Sequence, residues 1–367
     1  MTSITNKLGF AGGDAFMQST RREVNAYLAD RGVRRRGALS LYAKAPLAVG
    51  LMLASWTVLV TGTRPLLVVI PCLAGLALGA TLTAFCVQHD ANHGSTFRKR
   101  RHNTALGWTA DALLGFSSYA WRVKHNIAHH TYTNIDGYDD DVTQAPLARF
   151  APSQKRHPWY RFQQYYIWPL YALMVVRLQT VGDLMAFAHG RAGQSVLRRP
   201  RKGALAALVL GKIIFLGWAI AVPLLVYPWW AVLATYLVLT GLLSVVMATT
   251  FQLAHCVDEA SFPTAEALQT GTTAWARHEV ETTVDFCPRN RVLTWLLGGL
   301  NFQIEHHLFP TVRHTHYAAI APIVARNCRL FGVRYTIQPS LRAALHSHFI
   351  HIRAMGRLGQ PVSMEMG

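Results

Sequence analysis

Two pairs of long apolar segments constrain this chain more than any other feature of its 367 residues. The first pair covers residues 45–62 and 65–88, and the second covers residues 204–227 and 231–254. Each segment approaches the ~20 apolar residues that a helix needs to cross the hydrocarbon core of a bilayer. Charged residues make up only 15% of the chain, against about 25% in soluble domains. The sequence therefore predicts an all-α integral membrane protein with four membrane-spanning helices in two hairpins.

The polar segments around the hairpins divide the chain into five predicted regions. These are an N-terminal arm at 1–44, a first hairpin at 45–88, a first part of a cap at 89–203, a second hairpin at 204–254 and a second part of the cap at 255–367. Moderately apolar stretches at 105–120, 164–188 and 292–300 are expected at the membrane interface or packed against the spans. Arg177 and Asp183 argue against a fifth span at 164–188.

The positive charges lie almost entirely outside the apolar segments. Lys and Arg number 36 against 18 Asp and Glu, a formal net charge of +18. Only Arg64, between the first two segments, and Lys212, within the third, lie elsewhere. Lys212 is expected to extend toward the interface if its end of the helix lies there. Four spans place the arm and both cap regions on one side, which the positive-inside rule makes the cytoplasm.

The same charge distribution argues against nucleic-acid binding, because the basic residues follow the membrane topology. Arg outnumbers Lys by 29 to 7, which hints at a GC-rich bacterial genome. We therefore expect a bacterial inner (cell) membrane protein whose active site faces the cytoplasm.

Eight of the 17 histidines form four clusters that begin at the ends of spans or lie in the cap. The clusters are His89 and His93 in HDANH, His125, His129 and His130 in HNIAHH, His255 alone, and His306 and His307 in QIEHH. Residues four apart on a helix share a face. His89 and His93 can therefore point at one metal ion. His125 and His129 can do the same, with His130 directed toward a second ion.

The number of clustered histidines exceeds what one ion needs, so two ions are implied. Because His89 and His255 directly follow spans, both are expected at the cytoplasmic rim of the bilayer. The five cysteines contain no CxxC pair, which argues against thiolate zinc and iron–sulfur sites. An imidazole shell suits iron, copper, zinc or nickel. Because these histidines are expected beside lipid, and a saturated hydrocarbon chain has no bond that a metal site could hydrolyse, oxidation by dioxygen at two irons is the favoured chemistry.

The other histidines receive weaker assignments. Those interpreted as surface residues are His102, His157, His189, His278, His346, His348 and His351. His314 and His316 follow the fourth cluster, and with Asn92 and Asn301 they are candidates for residues that support the metal ligands. An interfacial position is the competing interpretation for His314 and His316.

The motifs HDANH, HNIAHH and QIEHH, in this order and with hydrophobic hairpins between them, resemble the integral-membrane fatty acid desaturases and their hydroxylase and acetylenase relatives. The resemblance covers residues 15–335, roughly, and implies a cytosolic helical cap that holds two irons. It implies ligand roles for His89, His93, His125, His129, His130, His255, His306 and His307. Gln303 stands where the wider family has a further histidine, as in the front-end desaturases, which place a double bond between an existing one and the carboxyl end. Gln303 is expected beside the metal.

The resemblance also implies an activity. Two hydrogens would leave neighbouring carbons of an acyl chain, dioxygen would be reduced to water, and a cis double bond would remain. No HPGG motif of a fused cytochrome domain occurs, so a separate electron donor such as a ferredoxin is expected. The acyl carrier stays open between a lipid, coenzyme A and a carrier protein.

Two alternative functions stay open. Hydroxylation or acetylene formation at the same centre is one, because the motifs do not separate these outcomes. A metal or proton transporter is a remote alternative, since residues 45–88 and 203–254 contain no Asp or Glu.

Overall fold

The first membrane hairpin runs without a break into the first histidine cluster. The computed structural model describes residues 8–32, 39–193, 195–197 and 202–359. Its first helices are α1 (Ala15–Asp30), α2 (Leu39–Val60), α3 (Leu66–Leu82) and α4 (His89–His93). A π-helical turn at Thr83–Gln88 joins α3 to α4, so one span covers Leu66–His93. Gly94 ends α4 with a φ of 72°, a left-handed conformation that glycine adopts without strain.

The region between the hairpins consists of short helices. They are α5 (Arg100–Leu114), α6 (Ser118–Arg122), a π-helical turn (Val123–His129), α7 (His130–Tyr132), a 3-10 turn (Pro158–Phe162), α8 (Gln163–Ala172), α9 (Met174–Arg177), a second π-helical turn (Leu178–Gly182) and α10 (Asp183–His189). The antiparallel strands β1 (Arg191–Ala192) and β2 (Ser195–Val196) follow. The stretch from Pro158 to His189 is bent by 47° around Leu173, as in a broken span or a re-entrant segment.

The two halves of the second hairpin pack against different neighbouring helices. It consists of α11 (Lys202–Leu216), a π-helical turn (Gly217–Ala221), a 3-10 turn (Pro223–Leu225) and α12 (Trp229–His255). α11 packs on α5, whereas α12 packs on α3, α8 and α9. The 27 residues of α12 extend about 40 Å at 1.5 Å per residue. Since the hydrocarbon core is ~30 Å thick, α12 is long enough to place His255 at the rim.

The remainder of the chain completes the cap. Its elements are α13 (Ala265–Gln269), α14 (Trp275–Glu281), β3 (Asp285–Phe286), α15 (Arg291–Leu296), α16 (Gln303–Leu308), a 3-10 turn (His314–His316), α17 (Tyr317–Leu330), β4 (Ile337–Gln338) and α18 (Leu341–Arg357). β3 and β4 pair in parallel. α1 packs against α17, and Phe16, Val24, Ile304 and Val324 share one apolar core. This core holds α16, which carries the fourth histidine cluster.

The prediction of an all-α fold with four membrane-spanning helices is confirmed: among the described residues, four helices are long and apolar enough to cross a bilayer. The expectation for Lys212 is wrong. Its ammonium group is buried and donates to the carbonyl oxygens of Gly115 (2.9 Å), Leu178 (2.8 Å) and Gln179 (3.0 Å). It also lies 3.4 Å from a carboxylate oxygen of Asp183. Backbone acceptors inside the protein thus replace the interfacial water.

Candidate metal centre

Seven of the eight predicted ligand histidines meet in two groups where the cap joins the spans. The four-histidine group comprises His89, His93, His125 and His306, and the three-histidine group comprises His129, His255 and His307. Within each group, one ligand nitrogen per residue lies within 4.8 Å of those of all other members. All seven side chains are buried. The arrangement has room for two ions, one in each group.

π-helical turns determine how two clusters contribute to these groups. One precedes His89, and the other carries His125 and His129. Such turns are rare and occur frequently at functional sites. The spacing of an α-helix predicts that His125 and His129 face one ion, but the structure places them in different groups. Their rings still stack at 5.0 Å, and together with Asp141 they form a third group of close ligand atoms.

His130 lies between the two groups. Its ring centroid is 4.9 Å from that of His93, 4.7 Å from that of His306 and 4.3 Å from that of His307. Its Nε2 is 3.2 Å from Nε2 of His125. Its Nδ1 has no hydrogen-bond partner among the described residues. His130 is therefore in reach of both groups.

Four histidines in the two groups have their Nδ1 atoms within hydrogen-bond distance of a cap residue. The pairs are His129 with Asp139 (3.0 Å), His255 with the carbonyl of Thr282 (3.4 Å), His306 with the hydroxyl of Tyr317 (3.2 Å) and His307 with Glu279 (2.6 Å). Such a partner holds the ring and leaves Nε2 as the free nitrogen. This is the pattern expected around a metal.

Ring nitrogens of five histidines in the two groups are left without hydrogen-bond partners among the described residues. Among the described residues, no hydrogen bond reaches Nε2 of His89, His93, His255, His306 or His307. Leaving a buried polar atom unpaired costs about 1–3 kcal/mol. Five such atoms converging at one place fit a site whose nitrogens are satisfied by bound metal.

The electrostatics of the site favour neutral imidazole, the form that binds metals. Burial, and then the neighbouring imidazoles, hold the pKa well below its usual range for His125, His130, His306 and His307. His129 differs. Burial disfavours its charged form, but the carboxylate of Asp139 outweighs this effect and raises the pKa of His129.

Two supporting carboxylates were not identified in the sequence. Glu279 contacts His307, and its Oε2 lies 2.9 Å from the hydroxyl of Thr133. Asp139 contacts His129 and accepts from the backbone N–H of Asn134 at 3.0 Å. The three consecutive aspartates that end HHTYTNIDGYDDD were an available signal for Asp139. Glu279 has no comparable signal.

The predicted supporting residues Asn92, Asn301 and Gln303 are all buried. The side-chain oxygen of Asn92 accepts from Arg122 at 3.1 Å, and Asn301 donates to the carbonyl of Cys287 at 3.4 Å. These side-chain hydrogen bonds of the two asparagines are with residues outside the histidine groups. Gln303 is buried at the start of α16, four residues before the ligand candidate His307.

His314 is connected to the four-histidine group through one carboxylate. Its Nδ1 lies 2.6 Å from Oδ2 of Asp90, and Oδ1 of Asp90 lies 3.7 Å from Nδ1 of His89. His316 is buried too, but its Nε2 accepts from the guanidinium of Arg313 at 2.6 Å. His314 is therefore connected through Asp90 to the ligand candidate His89.

The surface interpretation is wrong for three histidines. His278, His348 and His351 are 3%, 1% and 3% exposed, and burial lowers the pKa of each to about 4. His348 donates to the carbonyl of Cys256 (2.7 Å), and His351 donates to that of Phe150 (2.8 Å). These two therefore fasten α18 to the cap. The surface interpretation is confirmed for His102, His189 and His346, which are exposed. His157 is half-buried.

An apolar cavity and a small pocket lie between the spans and the histidines. The cavity, of about 270 Å³, lies among the four spanning helices. The pocket lies beside His89 and is lined by Ala84, Phe85, Gln88, Trp121, Met247 and Phe251. Ala80 lines the cavity, and Ala84, one turn on, lines the pocket; Leu243 and Met247 are related in the same way on α12. The cavity and the pocket are therefore neighbours along the same two spans.

Known proteins resemble this chain along most of its length. A family model described as fatty acid desaturase matches residues 63–339. The sn-1 linoleoyl-lipid 6-desaturase of Arthrospira platensis is 33% identical over 97% of this chain and 96% of its own length. The protein of the same name from Synechocystis is 32% identical over 96% of this chain and 98% of its own. An acyl-lipid (8-3)-desaturase of Physcomitrium patens is 35% identical over 74% of this chain and 57% of its own. The chain belongs to the fatty acid desaturase family.

Proposed function

We propose that this protein introduces a cis double bond into the acyl chain of a membrane lipid, at two iron ions held by the two histidine groups. Fatty acyl desaturation is the activity of the family to which the chain belongs. The observation that carries the proposal is the convergence of buried, unpartnered histidine nitrogens beside an apolar pocket. An alkyl chain has no group that these residues could attack directly, so the oxidant must come from a metal centre.

The four-histidine group would hold one iron and the three-histidine group the other. His130, which is in reach of both groups, would be a further ligand. When bound, the two irons supply the oxidising power, drawn from dioxygen, that removal of hydrogen from a saturated chain requires. The protein supplies neutral imidazoles and the Nδ1 partners that hold them in position. The ligands would be imidazoles rather than thiolates, because none of the free cysteines belongs to a group of close ligand atoms among the described residues.

The acyl chain would lie in the apolar cavity and present its reacting carbons at the pocket. The half-buried Trp121 ring stacks on His125 at 4.2 Å, and the Phe251 ring lies 6.2 Å from the same histidine. These two side chains can exclude water and fix which carbons stand beside the centre. Such positioning selects the bond that reacts.

The acyl chain is proposed to be linked to a glycerolipid and to contain a double bond already. Two relatives matched over nearly their whole length are named for linoleoyl-lipid substrates. Gln303 supports the same specificity, since it matches the front-end desaturases. The new bond would then lie between the existing double bond and the carboxyl end.

The electron donor is proposed to be a separate acidic protein such as a ferredoxin, acting at the cytoplasmic face of a bacterial cell membrane. Support comes from the four exposed cations Arg98, Lys99, Arg100 and Arg101, which lie just before and at the start of α5. Charge complementarity of this kind steers a partner toward its site. A reporter fused near residue 150 should remain cytoplasmic, and an external signal would overturn this orientation.

Expression in a bacterial host without polyunsaturated lipids, supplied with linoleate, tests the proposed function. A new cis double bond on the carboxyl side of the existing ones, found in intact glycerolipids by mass spectrometry, is expected. Cells with His129→Ala are the control. Hydroxylated or acetylenic products would instead support the related activities. Product formation that does not depend on iron would overturn the proposed centre.

A further inference from the structure

Lys44 falls in the predicted N-terminal arm, but the structure places it in the first spanning helix, Tyr42–Val60. It belongs to none of the sequence motifs. Its side chain is 5% exposed. Nζ donates to the carbonyl of Trp295 at 2.9 Å, lies 3.0 Å from Nε2 of His314 and 3.6 Å from Sγ of Cys86. Ionisable residues inside spans are costly, and those that occur commonly have a function.

The contact with Lys44 selects one tautomer of His314. An ammonium group has only donors, so Nε2 of His314 must accept and its proton must reside on Nδ1. That Nδ1–H donates to Oδ2 of Asp90 at 2.6 Å. The carboxylate is thereby held with Oδ1 turned to Nδ1 of His89, at 3.7 Å. All four residues are buried.

We propose that Lys44, through His314 and Asp90, positions His89 for metal binding. Neither ring nitrogen of His89 has a hydrogen-bond partner among the described residues. The negative charge of Asp90, 3.7 Å from Nδ1, favours a proton on that nitrogen and so leaves the lone pair on Nε2. Lys44 and His314 are positioning residues, because neither belongs to the groups of close ligand atoms. This inference rests on the proposed function, in that it requires metal at the four-histidine group.

A purely structural role is the competing explanation. The bond to the carbonyl of Trp295 would let Lys44 fasten α15 to α2 without any effect on the metal. Lys212 offers a matched control. It is also a buried lysine of a span that donates to backbone carbonyls, and its carboxylate contact is with Asp183, away from the histidine groups.

The test is titration of the full-length, iron-depleted protein in lipid nanodiscs with Co²⁺ as the probe, followed by the absorption of the bound ion. Lys44→Met and His314→Phe should weaken the binding about tenfold, the low end for residues that support a ligand. Lys44→Arg and His314→Gln should retain most of the affinity, because arginine still donates and glutamine can accept from Lys44 while donating to Asp90. Lys212→Met should lower thermal stability and leave Co²⁺ affinity unchanged.

Wild-type affinity in Lys44→Met, or equal weakening in Lys212→Met, would overturn the positioning role. Thermal unfolding of each variant shows whether it is folded, and if Lys44→Met does not fold, the comparison of His314→Gln with His314→Phe decides. A wild-type protein that binds no metal would contradict the proposed function itself and this inference with it.

Discussion

The four-histidine group and the three-histidine group are built from one residue type but are supported differently. Two members of the three-histidine group pair with buried carboxylates, Asp139 and Glu279. In the four-histidine group, His306 pairs with the neutral hydroxyl of Tyr317. A carboxylate makes an imidazole more basic and a better ligand than a hydroxyl does. Two of the three rings in the three-histidine group thus have a carboxyl oxygen within hydrogen-bond distance of Nδ1, whereas in the four-histidine group the Asp90 carboxylate lies 3.7 Å from Nδ1 of His89.

The two groups also differ in what surrounds them. The four-histidine group touches the apolar pocket and Trp121. The three-histidine group lies against the cap, where the amide of Asn134 donates to the carbonyls of His255 (2.9 Å) and Thr282 (3.1 Å). One group therefore faces the proposed substrate pocket, and the other is held by cap segments distant in sequence.

Loss of one ligand from either group should have the largest effect. His93→Ala and His129→Ala are each expected to abolish product formation, because both ions are required. The amount of protein in the membrane should not change, since most stability comes from spans that the substitutions do not touch. Assays of product and of membrane-bound protein check this, with the exposed His102→Ala as control. Substantial activity in either variant would show that its group is not required.

Substitution of the residues that hydrogen-bond to the ligand histidines should affect iron binding to different extents in the two groups. Asp139→Asn is expected to speed iron loss to a chelator by about 10–100-fold, because a neutral amide replaces the carboxylate that raises the pKa of His129. Tyr317→Phe should have a smaller effect, since only a neutral hydrogen bond is lost. Iron release from the two purified variants, compared with wild type, measures the difference. Equal effects would mean that the partners do not distinguish the groups.

Gln303 offers a finer test. If it lies beside the metal, Gln303→Ala should lose most activity, and Gln303→His should retain iron and some activity, with a possible shift in the position of the new bond. If Gln303 packs against substrate or a helix, the larger ring should cost about 1–3 kcal/mol of strain. Iron content and product position in both variants decide. Full iron and activity in Gln303→Ala would remove Gln303 from the site.

Acid should loosen the attachment of α18 beside the three-histidine group. Burial lowers the folded pKa of His348 and His351 to about 4, whereas an unfolded histidine titrates near ~6.5. The unfolded chain therefore binds more protons between these values, and the stability present above pH ~6.5 falls as the pH drops toward 4. The protection factors of the α18 amides, which correct for the intrinsic pH dependence of hydrogen exchange, should fall from pH 7.5 to 5.5, and less so in His351→Gln. Protection factors that do not change with pH would contradict this.

Much of the fold could be predicted from the sequence, because spans depend on apolar length alone. The histidine clusters were also visible, since ligands repeat at short spacings. Their division between groups was not, because the π-helical turn at Val123–His129 replaces the α-helical periodicity on which the spacing rule rests. Glu279 was missed because it lies 28 residues before its partner His307 and has no local pattern.

The buried histidines of α18 show a related limit. His348 and His351 look like polar surface residues, but each finds a backbone carbonyl on a distant segment. Hydrogen bonds of this kind depend on tertiary packing, which local sequence does not encode. The same holds for Lys212, whose acceptors come from Gly115 and from the π-helical turn Leu178–Gly182.

The central claim is that the two histidine groups hold one iron each, and metal analysis of the purified full-length protein tests it most directly. We predict about two irons per chain and little zinc in the wild type. His93→Ala and His129→Ala should each lose iron, and the exposed His102→Ala should lose none. Stoichiometric zinc without iron-dependent activity, or iron content indifferent to these histidines, would contradict the account.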